Sequence, residues 1–546
     1  MNTSSHPAES LASAAPRAEK LDTRAAGIVA LAVMASRVLG VAREQIFAAL
    51  FGGGALMDAF TMAFRIPNLL RDLFAEGALS TAFVTIFSKT MATEGDRAAW
   101  RLANKVATLT VITLSAITIA GIVFAPWLVS VLAGGWAGAK AELTIELTRV
   151  MFPFILLVSL AALVMGLLNA RSIFGVPAMA SSFFNLGSII TGVALGWWLD
   201  PTFGEKALLG VAIGTLIGGV LQFAIQLPSV RGTGYRFRPD FAWRDQGVEA
   251  ILRLMGPSVV AASATQVNVL VNSSFASHLP NGSVYWLSIA FRLMQLPLGI
   301  FGVALGTVAL PLLARMAVAG NTVAFRSELA RGMRLAFLLT IPASIGLILL
   351  AGPIMSVLYQ HGHFTAFDAG QAAGALEFYA LGLCGYAALK VLVNAFYAID
   401  RRKTPMVVSF FAIGLNYLLN WLFTMRLHWG HRGLAFSTAC VATSNFLILY
   451  FIMRRHLGRL ESAALLSLLA RLAGACAVLA AVCWAGNHFL LAHWATERFW
   501  PKFGQLLAVI VVGAAAFFAC ATAFGIRELE DVSSAVKRRL ARAVAR

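Results

Sequence analysis

The chain has 546 residues, 59% of them hydrophobic and only 12% charged, with a formal net charge of +18. Soluble domains run near a quarter charged, so the composition excludes an ordinary cytosolic enzyme, a disordered protein and a secreted disulfide scaffold. It points to an all-α polytopic membrane protein, because the apolar runs reach the roughly 20 residues a spanning helix needs and are continuous rather than alternating as in a barrel.

Residues 1–24 are polar and rich in Ala, Ser and Pro. They lack the apolar stretch of a cleavable signal peptide and read as a disordered cytoplasmic tail. Fourteen apolar runs of spanning length follow, near 25–51, 57–88, 104–133, 142–170, 174–198, 205–229, 247–278, 284–314, 328–357, 368–399, 404–425, 432–453, 464–490 and 503–525. With the N-terminus inside, 28 Lys and Arg residues fall in inside segments and 6 in outside loops. That bias fits the positive-inside rule with both termini cytoplasmic. Most of the +18 is therefore topology and not a footprint for nucleic acid. The stretch 526–546 contains Arg527, Lys537, Arg538, Arg539, Arg542 and Arg546, and reads as a basic surface segment on anionic lipid. The five cysteines lie in apolar runs without a C-x-x-C pair, and read as small buried residues rather than metal ligands.

Nine cations remain within the spans: Arg37, Arg43, Arg65, Arg71, Arg149, Arg253, Arg292, Lys390 and Arg471. Those near span ends can snorkel to headgroups. Arg37, Arg43, Arg71 and Arg292 are central, and each costs about 2.5–3.5 kcal/mol on insertion scales. They are expected to line a water-filled cavity. Glu44, Asp58, Asp72 and Glu76 offset them in part, so an internal salt-bridge network is the competing reading. Arg suits phosphate because its planar fork stays charged and donates two parallel hydrogen bonds. Arg65-Ile66-Pro67-Asn68 is expected to break the second span, since Pro removes an N–H and clashes with the preceding turn, and a broken helix is tolerated beside a cavity.

The chain also resembles itself. Ala63-Phe64-Arg65 with Ala78-Leu79-Ser80-Thr81 matches Ala290-Phe291-Arg292 with Ala304-Leu305-Gly306-Thr307, and the arginines are 227 positions apart. Asn169-Ala170 matches Asn394-Ala395 at an offset of 225. The two offsets imply a parallel duplication of six spans, one lobe over 25–229 and another over 247–453, with 464–525 as two additional spans.

Particular stretches resemble the MurJ/MviN family, the lipid II flippases of bacterial peptidoglycan synthesis. They are Ser36-Arg37-Val38-Leu39-Gly40-Val41-Ala42-Arg43-Glu44, Phe51-Gly52-Gly53-Gly54 with Asp58-Ala59-Phe60, and Pro67-Asn68-Leu69-Leu70-Arg71 with Phe74-Ala75-Glu76-Gly77-Ala78. Gly302-Val303-Ala304-Leu305-Gly306-Thr307, His361-Gly362-His363-Phe364-Thr365 and Lys403-Thr404-Pro405 match as well. The resemblance implies a MATE-like fold of two six-helix lobes around a central cationic cavity, with the last two spans forming a groove for the polyprenyl tail. It implies substrate-binding roles for Arg37, Arg43, Arg71 and Arg292, and supporting positions at Ser36, Asp58, Asn68 and Glu76. The implied activity is transport of a polyprenyl-diphosphate glycolipid across the bacterial inner membrane by alternating access, without covalent chemistry, cofactor or metal. Lipid II and cell-wall synthesis proteins are the implied partners, beside the anionic membrane lipids that the basic tail suggests. The chain departs from the family pattern at Phe291 and Gln295, where Asp and Glu are usual, and at Asp72, where a second basic residue is common. With the interior negative, outward movement of an anion gains about 2.3 kcal/mol per charge per 100 mV. Membrane potential, H⁺ or Na⁺ are thus the expected couplings, with Asp58, Glu76, Lys390 and Asp400 as titratable candidates.

Three other classes stay open at this level. An exporter of another polyprenyl-diphosphate glycan would look the same to the arginines. A drug exporter should prefer an acidic cavity. A membrane transferase should carry Asp/His clusters at the surface; the longest inside loop, about 229–246, holds Asp240 and Asp245 but no His, and the pair His361 and His363, on an outside loop, reads as surface histidines.

Overall fold

The computed structural model describes residues 23–72, 79–299, 303–496, 498–526 and 528–529. Glu76, the polar tail before residue 23 and the basic tail after 529 lie outside the described residues. The first lobe contains α1 (Thr23–Phe51), α2 (Ala55–Arg71), α3 (Ser80–Glu94), α4 (Asp96–Val123), α5 (Ala125–Leu132), α6 (Ala139–Met151), α7 (Phe154–Ala170), α8 (Gly175–Leu199), α9 (Glu205–Ala224) and α10 (Leu227–Gly232). The second contains α11 (Gln246–Ser277), α12 (Ser283–Pro297), α13 (Val303–Val318), α14 (Thr322–Leu349), α15 (Ala351–Tyr359), α16 (Ala366–Leu381), α17 (Leu383–Ala398), α18 (Lys403–Asn420, prolonged by a π turn to Arg426) and α19 (Gly430–Leu457). Then come α20 (Ser462–Ala485) and α21 (Phe499–Ala523).

Helix boundaries recur along the chain. α4 starts at 96 and α14 at 322, α5 at 125 and α15 at 351, α6 at 139 and α16 at 366. That register sits beside the 227-residue spacing of Arg65 and Arg292. Local chemistry sets several starts. Asp245 caps α11 by accepting from the N–H groups of Gly247 and Val248, Asn321 caps α14, and Thr365 with Asp368 forms a reciprocal capping box on α16.

Among the described residues, nine helices are long and apolar enough to cross a membrane, or eleven if the bent pairs over Gln246–Ser277 and Ala366–Ala398 each count as one. The expected fourteen therefore exceed this count by three. The segments not included are α1, α2 with α3, and α12 with α13, and the last two pairs run through undescribed residues. These three segments carry every arginine assigned to the site. The break expected at Pro67 is not at that residue. α2 continues through it to Arg71, and the Asp72 N–H still bonds to the carbonyls of Asn68 and Leu69. One missing hydrogen bond near the end of a helix is tolerated when its neighbours re-satisfy the backbone.

The lobes meet in a packed seam at the end that carries the loops assigned to the outside. Asp58, buried on α2, accepts from the backbone N–H groups of Gly282 (2.7 Å) and Tyr285 (2.9 Å) at the start of α12. Lys140 completes it, 2.8 Å from Asp58 and from Asn281. Around this contact, the His363 N–H donates to the Ala49 carbonyl at 2.8 Å and the Gly135 N–H to Ser277 Oγ at 3.1 Å. Gly362 adopts φ +56°, and a Cβ there would come within 2.2 Å of the Ala49 carbonyl oxygen. The approach of the two lobes at this point therefore requires glycine. α20 and α21 pack on each other and against α14 and α15. Arg334 of α14 holds them at the opposite end, 2.7 Å from both Glu461 and Glu528.

Candidate functional site

A cavity of about 100 Å³ lies between the lobes below the seam. Its wall takes Arg43 and Glu44 from α1, Thr61, Phe64, Arg65 and Asn68 from α2, Thr215 from α9, and Ser288 and Arg292 from α12. The helical spacing explains the grouping. Thr61, Phe64, Arg65 and Asn68 stand three or four residues apart and share one face of α2. Ser288 and Arg292 do the same on α12.

Glu44 is the electrostatic centre. Its Oε1 lies 3.2 Å from Arg43 Nη2 and 2.5 Å from Arg292 Nη1. One carboxylate on the first lobe thus bridges an arginine of its own helix and an arginine of the other lobe. Arg65 also crosses the interface, donating from Nη1 to Ser273 Oγ on α11 at 2.6 Å. The cavity wall holds three guanidiniums and one carboxylate, a formal charge of +2. The Arg43 guanidinium also sits over the Phe184 ring at 5.1 Å. Its Nε and the Asn68 Oδ1 are buried without a hydrogen-bond partner among the described residues. A buried donor without a partner is costly, and here it borders a cavity that a ligand or water can occupy.

The residues singled out in the sequence separate into groups. Arg43, Arg292 and Asn68 line the cavity. Arg37 is exposed outside its wall, with its guanidinium beside Gly299 of the second lobe. Arg71 is also outside the wall and pairs with Asp72 at 2.8 Å. The Ser36 carbonyl accepts from Asn185 of α8 at 3.1 Å. Asp58 belongs to the seam between the lobes. Arg65 and Glu44 take central places that sequence reasoning did not assign. The repeat held the signal for Arg65, since it is the counterpart of Arg292. Asp400 is exposed in a turn beside Arg402, and Lys390 is half-buried on α17. His363 Nδ1 faces the Leu50 carbonyl at 2.6 Å in the seam. No cluster of three metal-ligating side chains occurs among the described residues.

Two lobes built in the same helix register around a charged cavity define a membrane transporter of the MATE-like type. An inward-facing MATE-family multidrug transporter superposes on 80% of this chain and 99% of its own with a TM-score of 0.65, at 15% identity, which is a likeness of fold. The chain belongs to the lipid II flippase MurJ family, whose family model matches residues 47–503. It is 36% identical to a probable lipid II flippase MurJ of Vibrio cholerae, over 93% of this chain and 97% of that protein. It is 34% identical to the lipid II flippase MurJ of Burkholderia cenocepacia, over 90% and 95%. A solved lipid II flippase MurJ in an inward closed conformation matches with a TM-score of 0.73 at 25% identity, over 92% of this chain and 99% of that one.

Proposed function

We propose that this chain is a lipid II flippase, a transporter without covalent chemistry, which carries the glycolipid from the cytoplasmic to the outer leaflet of the bacterial inner membrane. Family membership supports the substrate class. The observation that carries the mechanism is the charge of the inter-lobe cavity, three arginines around one glutamate. A diphosphate needs two positive charges to balance it, and guanidinium donors reach its oxygens in pairs. A net-positive wall also repels the cationic drugs that a multidrug exporter would carry.

The geometry supports the following order of events. Glu44 occupies Arg43 and Arg292 while no anion is bound. A diphosphate entering from the inner side competes for the same donors, and Arg65 and the free Arg43 Nε add to its binding. The cavity is too small for a disaccharide-peptide head, so the lobes must separate around the charged centre to admit it. Opening to the outside then requires the Asp58 contacts with Gly282, Tyr285 and Lys140 to break. Arg37 and Arg71, placed off the cavity wall, guide the anion toward it in this scheme. The charge bias of the connections supports cytoplasmic termini, and with that orientation the membrane potential favours outward movement of the anion. α20 and α21 offer the surface on which the polyprenyl tail rides.

The test is complementation by Arg292→Ala or Arg43→Ala in cells that depend on this chain, with labelling of lipid II exposed on the outer leaflet. Inserted protein with export at background is the expected result. Normal export by Arg292→Ala would sink the assignment.

A further inference from the structure

The end of the first lobe that carries the inside loops has a second concave cationic site, which shares no residue with the central cavity. It is an open depression of about 570 Å³ between Arg97, Trp100, Arg101 and Asn104 of α4 and Arg236 and Arg238 of the connection to α11. That volume falls within the roughly 300–1,000 Å³ of ligand sites. The connection is held in place by α4. Asn104 Oδ1 accepts from the Arg238 N–H at 3.1 Å, and Thr108 Oγ1 from the Asp240 N–H at 3.0 Å. Lys105 Nζ lies 2.7 Å from Asp245, and the Trp100 ring is 5.3 Å from the buried Tyr235.

Among the described residues no carboxylate lies within ion-pair distance of these four guanidiniums. The nearby acids are engaged elsewhere. Asp96 pairs with Arg171 at 2.7 Å, Asp240 accepts from the Ala242 N–H, and Asp245 holds Lys105 and caps α11. The wall therefore carries a formal +4. A bias of positive charge toward the cytoplasm accounts for arginines on this side. It does not account for four of them converging, through a tethered loop, on one hollow.

The same connection shows what the hollow faces. Phe237 and Phe241, which alternate with the arginines along the strand of sequence, are 51% and 65% exposed, and Trp243 stands 6.0 Å from Phe241. Exposed aromatics beside arginines at the end of a spanning helix mark the headgroup level of a bilayer. We propose that this hollow binds the phosphate-bearing headgroup of an anionic phospholipid of the inner leaflet. The arginines donate to phosphate oxygens, and Phe237 and Phe241 lie against the glycerol and upper acyl region.

Full-length protein in neutral detergent would be titrated with phosphatidylglycerol, phosphatidylcholine and inorganic pyrophosphate, and bound ligand counted by native mass spectrometry. Phosphatidylglycerol should be retained and phosphatidylcholine should not. R236Q/R238Q should weaken retention by roughly fivefold for each arginine removed, and so should R97Q/R101Q, which alters the helix rather than the loop and covers a folding defect in the first pair. R454Q/R455Q, which removes equal charge from the same face elsewhere, should leave it unchanged. Arg292→Ala should too, so this test stands apart from the export assignment. Equal weakening by R454Q/R455Q would reduce the effect to overall charge and overturn the site. Displacement of the lipid by equimolar pyrophosphate would make the ligand a soluble polyanion and overturn the lipid assignment.

Discussion

The two arginine-lined hollows obey different rules. The central one buries Arg43 and Glu44 between the lobes and sets the half-exposed Arg292 against the same glutamate. The inner one gathers four on the surface and has no anion in its wall among the described residues. Burial explains the difference. The side chains of Arg43 and Glu44 are only 11% and 12% exposed, and a desolvated charge without a partner is costly. Water and salt screen the inner group, so it can hold like charges together until an anionic ligand arrives. A compensated site can also switch, because its internal carboxylate and an incoming anion compete for the same donors.

The most severe test of that contrast is Glu44→Gln. It leaves Arg43 and Arg292 close together without an anion, and should lower stability in detergent by about 3–5 kcal/mol, read as a fall in melting temperature. R236Q/R238Q should leave the melting temperature in place, since it relieves repulsion at a screened surface. Identical behaviour of the two variants would break the comparison.

Next comes the seam above the central cavity. Asp58→Asn removes a buried charge that engages Lys140 and two backbone N–H groups. Asn keeps one acceptor oxygen, so the loss is on the order of one charge-assisted bond, about 1.5–3 kcal/mol, and should favour the outward-open form. A cysteine placed by Ser288→Cys should then react faster with a membrane-impermeant thiol reagent added outside. An unchanged rate would show that the seam does not limit opening.

The smallest effect is expected at the tether of the inner hollow. The hydrogen bond from Lys105 holds the Asp245 carboxyl below the usual carboxylate range. Because its value is depressed in the folded chain, its contribution is complete above the ordinary aspartate range near about 4 and fades as pH falls through the depressed value. Asp245→Asn should therefore loosen the 233–245 connection at neutral pH by about 1 kcal/mol or less. Limited tryptic cleavage at Arg236 and Arg238 would report it at neutral pH, and amide hydrogen exchange of the same connection should show the difference from the parent chain shrinking in strong acid.

Much of this could be read before any coordinates. The Ser36–Glu44 and Pro67–Arg71 stretches pointed to the family, and the 227-residue offset pointed to two lobes. Arg43, Asn68 and Arg292 do line the cavity. Other features were not legible, because they depend on partners far apart in the chain. Asp58 stood as a supporting position and a titratable candidate, and its partner was invisible, because it accepts from the start of α12, 224 residues away. The second lobe also hides a neutral polar network. Asn416 Nδ2 and Asn420 Nδ2 donate to Asn272 Oδ1 at 3.0 and 2.7 Å, and Ser437 Oγ donates to Asn420 Oδ1 at 2.5 Å. Scattered asparagines in apolar runs give no hint that α11, α18 and α19 bring them together.

Amino-acid order alone dictated that the chain is a helical membrane protein, the side its basic connections favour, and its doubled layout. Apolar length, charge bias and repeat spacing are local properties that add up along a strand of sequence. The folded arrangement decided which of the membrane-embedded arginines share one carboxylate, that Arg65 stands with them while Arg37 and Arg71 stand apart, and which end of the molecule is shut. Those outcomes turn on the rotation of each helix and the register between lobes. A few ångströms there decide whether a guanidinium meets an anion, a backbone carbonyl or water.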